Sequence, residues 1–206
     1  MKKILLLLLV ATFATIVNAQ DPKTVFTAEK IVFYGLDFTK AKFAIPDAKP
    51  AEIKDTYFEA WNETVFGDNG RFPKESAFGK VTVYGDPTVV KRRNAAVNTA
   101  DITGKYEKPL TREDLQGVIN DYKDGVRKEG LGVVFIVEHF SKAKKEGIAS
   151  IVFFDIASRK VLLAKRMSGE PGGGGLNNYW MRTIQVMFEK MGATEYYLWQ
   201  KEVMGK

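Results

Sequence analysis

Two nearly uninterrupted apolar segments constrain the fold of this chain more than any other feature. They are Gly130–Phe140, which reads GLGVVFIVEHF, and Gly147–Ala157, which reads GIASIVFFDIA. Strands this apolar are typical of sheets that are covered on both faces. A third segment, Val161–Met167, follows after a short turn. The sequence therefore predicts a three-stranded meander at the centre of a sheet.

Extended and helical patterns alternate in the rest of the chain. Ile31–Phe38 is rich in β-branched and aromatic residues and is predicted as the first strand. Apolar side chains then recur at helical spacing after Pro50, after Thr111 and along Trp180–Met191. Thr111 and Asp114 resemble a capping box, which indicates the start of the second of these helices.

Weaker patterns give three further expectations. The region Lys80–Lys91 is broken at Gly85–Pro87 and fits two short strands or one strand with a bulge, with Lys91–Arg93 as a solvated strand end. Asn177 or Asn178 can cap the last helix. The aromatic tail YYLWQKEV is expected to close the sheet edge as a short strand, while the alternative is an exposed tail that stacks on sugars or docks on a partner.

These elements follow the order β-α-β-α-β-β-β-α. The predicted fold class is α/β, with a mixed sheet and helices packed against it. Residues 20–206 are enough for a single domain with a substantial core.

The N-terminus has the pattern of a secretory signal peptide, Met1–Ala19. Lys2 and Lys3 form a positive region, Ile4–Val17 forms an apolar region, and small residues follow. An apolar stretch of 14 residues reaches about 21 Å as a helix, which is short of a hydrocarbon core of about 30 Å. We therefore expect cleavage before Gln20, export to the periplasm or cell surface, and no stable membrane anchor.

The composition argues against several classes of function. The chain has no cysteine, which excludes disulfides, thiolate nucleophiles, sulfur metal sites and lipid attachment through a thiol. Without the signal peptide it has 29 basic and 25 acidic residues, a net charge of +4. That charge is too small to indicate a nucleic-acid partner. The absence of disulfides also mildly favours a bacterial source.

An internal similarity connects two of the predicted strands. Ile31–Lys42 reads IVFYGLDFTKAK, and Val133–Lys144 reads VVFIVEHFSKAK. If these strands are parallel neighbours, their ends lie at the same sheet edge, where open α/β folds often bind ligands. The alternative is a chance similarity with solvated lysines. The predicted ligand-binding residues for an anionic ligand or acidic partner are Asp37, Lys40, Lys42, His139, Lys142 and Lys144, with Lys145 beside them.

No catalytic or metal-binding motif is evident in the chain. His139 is the only histidine, and neither H-E-x-x-H nor G-x-S-x-G occurs. Glu138 and Asp155 are carboxylates on neighbouring strands, but nothing in their spacing indicates glycosidase chemistry. The glycine-rich stretch Ser168–Gly175 lacks the Lys and Ser/Thr of a P-loop, so it is interpreted as a flexible crossover. We expect no catalytic residue, no metal and no cofactor.

Four segments carry a resemblance to known proteins. FYGLDFTKAKF, VVFIVEHF, FFDIASRKVLL and GLNNYW together resemble a family of uncharacterised secreted proteins of Bacteroidetes-type bacteria. The layout of Gly130–Met191 is also similar to the anticodon-binding-like domains of periplasmic assembly proteins, of the curli-secretion and TolB N-terminal type. The resemblance implies an exported α/β protein, and it brings no activity and no site residues.

The expected function is a non-enzymatic interaction or assembly module of the cell envelope, with an envelope protein or an anionic ligand as partner. One alternative is a periplasmic small-molecule or glycan-binding protein, which requires an aromatic-lined pocket near Asp37 and His139. A hydrolase is a further alternative. It requires His139 to hydrogen-bond to both a carboxylate and a serine in a cleft.

Overall fold

The structure is a computed structural model that describes residues 21–205. The predicted signal peptide and its cleavage site lie outside these residues. The strands are β1 Lys30–Asp37, β2 Lys42–Ala44, β3 Thr82–Gly85, β4 Leu131–Ser141, β5 Glu146–Asp155 and β6 Val161–Gly169. The α-helices are α1 Thr24–Thr27, α2 Pro50–Glu52, α3 Phe58–Gly67, α4 Lys74–Ala77, α5 Thr88–Ala95, α6 Arg112–Asn120, α7 Gly175–Lys190 and α8 Tyr196–Met204. Two π-helical turns, Ile53–Tyr57 and Met191–Glu195, join α2 to α3 and α7 to α8.

The sheet is mixed, and its strand order is β3-β1-β4-β5-β6. β1 pairs parallel with both β3 and β4, whereas β4, β5 and β6 form an antiparallel meander. β2 continues the path of β1 along β4, because Lys42 pairs with His139 after a short excursion of the chain. The α/β prediction with a mixed sheet is confirmed. The meander reaches from the centre to one edge, since β6 is the last strand.

Helices cover both faces of this sheet, as the apolar strands require. On one face, side chains such as Phe33, Phe135 and Phe153 pack against α3 and α7, with Trp61 and Trp180 fully buried. The other face is covered by helices α5 and α6, whose apolar residues contact alternate residues of β1, β4 and β5. No helix within residues 21–205 has the length and apolar character to cross a membrane.

The predicted capping box is confirmed at the start of α6. The Thr111 side chain accepts a hydrogen bond from the Asp114 backbone, and the Asp114 carboxylate accepts one from the Thr111 backbone. The predicted cap of the last helix is wrong, because α7 begins after Gly174 and neither asparagine caps it. The glycine-rich stretch allows this start, since Gly173 and Gly175 have positive φ.

Two predicted strands are helices in the structure. Beyond Asp86 and Pro87 the chain forms α5, so Lys91–Arg93 lies in a helix and is not a strand end. The aromatic tail forms α8, the last part of a helical run over residues 175–204. In this helix Trp199 is buried and Tyr197 is exposed, as amphipathic packing requires. Helical spacing in both segments outweighs their β-branched and aromatic content.

Candidate functional site at the carboxyl edge of the sheet

β1 and β4 are parallel neighbours, and their carboxyl ends lie at the same edge of the sheet. The predicted site required these two strands to be parallel neighbours, and they are. In the register Asp37 lies opposite Ile136, so Glu138 follows two positions further along β4. Two consecutive side chains on this stretch, Glu138 and His139, contact the same tyrosine, Tyr106.

Asp37 is a fully buried carboxylate whose oxygens both accept hydrogen bonds. One oxygen accepts from the Thr39 backbone N–H at 2.9 Å and from the Thr39 hydroxyl at 2.6 Å. The other accepts from Arg93 Nε and from the Tyr122 hydroxyl, both at 2.8 Å. Burial and the charge of Asp37 raise the pKa of Tyr122 well above its usual value. A carboxylate this fully bonded acts as a structural anchor.

Arg93 connects this anchor to the surface. Its guanidinium also contacts Asp121 at 3.0 Å and the Thr39 hydroxyl at 3.2 Å. Burial opposes its charge, but the attraction and hydrogen bond of Asp37, with the bond to Asp121, raise the pKa of Arg93 overall. Arg93 therefore remains charged throughout the physiological range and joins the end of β1 to α5 and α6.

Two buried asparagines hold the irregular end of β1. The pairing between β1 and β4 shifts register between Phe33 and Leu36, and Gly35 there has a φ of +100°. Asn62 donates to the Leu36 carbonyl and accepts from the Leu36 N–H. Asn94 also donates to this carbonyl and accepts from the Phe38 N–H. A methyl group on Gly35 would lie 2.4 Å from the Asn62 side-chain oxygen, so glycine is required.

The predicted lysines do not converge on Asp37. The ammonium of Lys42 donates to the Asp101 carbonyl, and the ammonium of Lys142 pairs with Asp47. Lys40 and Lys144 are exposed. Lys42 and Lys142 therefore contact different groups, and a ligand-binding role for the predicted lysines stays a prediction.

His139 is buried and has a backbone partner. Its Nδ1 lies 3.0 Å from the Lys42 carbonyl, and its ring stacks on Tyr106 at a centroid distance of 5.0 Å. Burial lowers the pKa of His139, and the nearby charge of Lys144 lowers it further, although the Lys42 carbonyl opposes this effect. Within residues 21–205 no carboxylate and no serine hydrogen-bonds to this ring, so the arrangement that a hydrolase requires is not formed here.

Glu138 is a second fully buried carboxylate on this sheet, and it pairs with the exposed residue Arg166. Its carboxylate accepts from the Ser150 hydroxyl at 2.7 Å, from the Tyr106 hydroxyl at 2.6 Å and from Arg166 Nε at 3.2 Å. Burial, together with the bond to Glu138, raises the pKa of Tyr106 to about 12. Regular alternation along a strand would place Glu138 and His139 on opposite faces. Both contact Tyr106 instead, because the β4–β5 register shifts between Val137 and His139.

A surface cavity of about 560 Å³, which we call the carboxyl-edge cavity, opens beside the Asp37 anchor. Thr39 and Lys40 line it from the end of β1, Arg93 from α5, and Gly117 from α6. Carboxylates outnumber cations around it, and they are Asp101, Glu113, Asp114 and Asp121. The electrostatics therefore favour a basic group rather than the predicted anion. No group of three or more potential ligand side chains for a metal occurs in the described part of the chain.

A second cavity of about 390 Å³ lies beside the glycine-rich stretch and has aromatic walls. Tyr57, Tyr179 and Trp180 line it together with the carboxylates Asp47 and Glu52. It contains one predicted site residue, Lys142, but neither Asp37 nor His139. The aromatic-lined pocket that a glycan-binding protein requires is therefore present at a different place from the one expected.

Sequence reasoning missed the partners of both buried carboxylates. For Arg93, the Asp-Pro pair before the segment was a usable helix-start signal. Arg166 pairs with Ser150 across β5 and β6, and Ser150 reaches Glu138 on the next strand, so the hairpin registers locate this cluster. Tyr106 and Tyr122 come from segments whose position depends on the tertiary fold.

Comparisons with known proteins give little further information. No family model matches the chain, and no curated protein matches it. Among solved structures, the crystal structure of lipoprotein GNA1162 from Neisseria meningitidis is similar at 13% sequence identity. The match covers 81% of this chain and 99% of that one, with a TM-score of 0.31. This likeness is too weak to transfer a fold or a function to this chain.

Proposed function

We propose that this protein is a non-enzymatic interaction module of the bacterial cell envelope, which binds a partner protein at the carboxyl-edge cavity. The signal peptide pattern of Met1–Ala19 supports the envelope location. The observation that carries the proposal is the cavity itself. Its lining is acidic, and the buried ion pair of Asp37 and Arg93 lies beside it.

The state of the candidate catalytic groups supports a non-enzymatic role. Asp37 and Glu138 are both fully buried and each is paired with an arginine. His139 has a backbone carbonyl as partner, and its lowered pKa keeps it neutral at physiological pH. A general acid or base must reach a reacting proton, and these groups are already engaged inside the fold.

The charges around the cavity indicate what kind of partner fits. Lys40 and Arg93 are its only lining cations, and Arg93 is already bonded to Asp37. The lining carboxylates Asp101 and Glu113 form no ion pair within residues 21–205. A partner segment with lysine or arginine side chains complements this surface and is attracted to it at low ionic strength.

In-cell photo-crosslinking tests this proposal. A photoreactive amino acid replaces the exposed Lys40 at the cavity, and a matched variant carries it at the exposed Lys201 on α8. We expect one protein adduct from position 40 only, and we expect Glu113→Gln to weaken it because the variant removes an unpaired carboxylate. Only monomer at position 40, or the same adducts at both positions, would overturn the proposal.

Glycan binding is the second candidate, and the aromatic-walled cavity favours it. Rings such as Tyr57 and Tyr179 can stack on sugar rings, while Asp47 and Glu52 can accept hydrogen bonds from sugar hydroxyls. Calorimetric titration with cell-wall oligosaccharides tests this function. Tyr179→Ala should abolish binding, and Tyr197→Ala, which alters an exposed tyrosine on α8, should not. Equal binding by both variants would exclude this cavity.

A further inference from the structure

A third cavity lies near the amino end of β4 and the β5–β6 turn, and its surroundings are strongly basic. It has a volume of about 370 Å³. Its lining includes four cationic side chains and one acidic side chain, which are Lys123, Arg127, Lys128, Arg159 and Asp124. None of these four cations forms an ion pair within residues 21–205. The lining therefore has a net charge of +3.

A tyrosine hydroxyl also faces this cavity. Tyr34 lines the cavity, although the residue as a whole is only 2% exposed. Burial, with the nearby charge of Asp86, raises the pKa of Tyr34. The hydroxyl therefore stays protonated and available as a donor.

The loop that carries the cations is fixed to the fold by several contacts. Asp86 accepts a hydrogen bond from the Val126 N–H at 2.7 Å, and Arg92 donates to the Lys123 carbonyl at 2.7 Å. The guanidinium of Arg127 lies 3.9 Å above the Tyr84 ring. Gly125 permits the close approach, because a methyl group there would lie 3.1 Å from Asp86 Oδ2. The backbone of this loop is thus held near the cavity before any ligand arrives.

The fourth cation comes from a separate element. Arg159 lies in the turn between β5 and β6 with a φ of +57°, and its carbonyl accepts from Gln116 on α6 at 2.8 Å. Charges from this turn and from the loop after α6 therefore face one cavity from two sides. Guanidinium groups arranged in this way suit the several oxygens of one phosphate group.

We propose that this cavity binds a phosphate monoester group, with Arg127 and Arg159 as its main ligands, Tyr34 as a neutral donor, and Lys123 and Lys128 as electrostatic support. The cavity is larger than a single phosphate group, so it accommodates part of the molecule that carries the group. That molecule is either a free phosphorylated compound or the headgroup of a phospholipid. Val126, which is 75% exposed on the same loop, offers an apolar contact for the second source.

The test measures binding of glycerol 3-phosphate by calorimetry and binding of vesicles by co-sedimentation. Vesicles of phosphatidylcholine with phosphatidic acid are compared with vesicles of phosphatidylcholine alone. Arg127→Gln and Arg159→Gln should each weaken binding about tenfold, because each removes a charge-assisted hydrogen bond. Tyr34→Phe should weaken it less. The control is Lys201→Gln, an exposed lysine on α8 that does not line this cavity.

The two probes distinguish a free phosphorylated compound from a phospholipid headgroup. Binding of glycerol 3-phosphate that the arginine variants weaken supports the site with a free ligand. Binding of phosphatidic acid vesicles alone, with the same loss in the variants, supports the site with a headgroup. No binding of either probe, or equal affinity of wild type, Arg127→Gln and Arg159→Gln, would overturn the proposal even if Tyr34→Phe failed to fold. The carboxyl-edge function does not depend on this result.

Discussion

Replacement of Asp37 by asparagine is expected to destabilise the fold strongly, although it exchanges only one heavy atom of the side chain. The carboxylate accepts four hydrogen bonds, two on each oxygen. In Asp37→Asn, the remaining oxygen can accept from Thr39, but the new amide N–H₂ then faces Arg93 and Tyr122. The tyrosine hydroxyl can rotate and accept, whereas the guanidinium only donates. Arg93 therefore loses its buried partner.

The expected loss in the free energy of unfolding depends on how deeply each of the two carboxylates that contact Arg93 is buried. Breaking a buried ion pair costs about 3–5 kcal/mol. Arg93 retains Asp121 in the variant, so we expect a loss near the lower end, about 3 kcal/mol. For a domain of this size that loss lowers the Tm by about 6–12 °C. The matched control is Asp121→Asn, whose side chain is 66% exposed, and its cost should stay below about 1 kcal/mol.

Urea denaturation and calorimetry of the two variants separate these expectations. Both substitutions remove a carboxylate from the same arginine, so they differ mainly in burial. If the free energies of unfolding of Asp37→Asn and Asp121→Asn differ by less than about 1 kcal/mol, the buried ion pair does not have the expected weight, because its loss should cost about 3–5 kcal/mol. The Asp37 cluster would then not support the carboxyl-edge cavity.

Three further predictions concern stability. The pKa of His139 is lowered in the folded state, so the free energy of unfolding should fall as pH decreases below about 6.5. Between pH 7.5 and 5.5 the Tm of His139→Gln should therefore change less than the Tm of the wild type. An equal change in both proteins would contradict this expectation. Gly169→Ala places a methyl group 2.1 Å from the Thr183 carbonyl oxygen and should lower the free energy of unfolding, measured in urea, by about 2 kcal/mol or more. The control is Gly117→Ala in α6, where a methyl group meets open space, and it should be neutral or stabilising. Thr111→Ala removes the cap of α6 and should cost about 1 kcal/mol by the same measurement.

The sequence predicts the fold class well because its strongest signals are local. The apolar runs of β4 and β5 and the capping box at Thr111 each specify their own element, and all are confirmed. The segments that fail are those with mixed signals. Thr88–Ala95 contains β-branched valines and charged residues, and the tail contains four aromatic or aliphatic residues in succession, so composition alone does not distinguish strand from helix.

The candidate site is less predictable because it depends on distant pairs. Asp37 meets Arg93 and Tyr122, which are 56 and 85 positions away in the chain. The register shift beside His139 also changes which side chains lie together, and no short sequence pattern reports it. The internal similarity raised the parallel pairing of β1 and β4 only as a condition. The pairing is present, but it does not identify which charges at this edge remain free.

The pairing of β1 with β4 also sets the order in which the chain can fold. Ile31 pairs with Leu131, 100 positions later, and β3 has only β1 as its neighbour. The centre of the sheet therefore cannot close until most of the chain is available, which is typical of slow-folding topologies. A fragment that ends before Leu131 retains two short parallel strands with an open apolar edge. Such a fragment is expected to aggregate rather than fold.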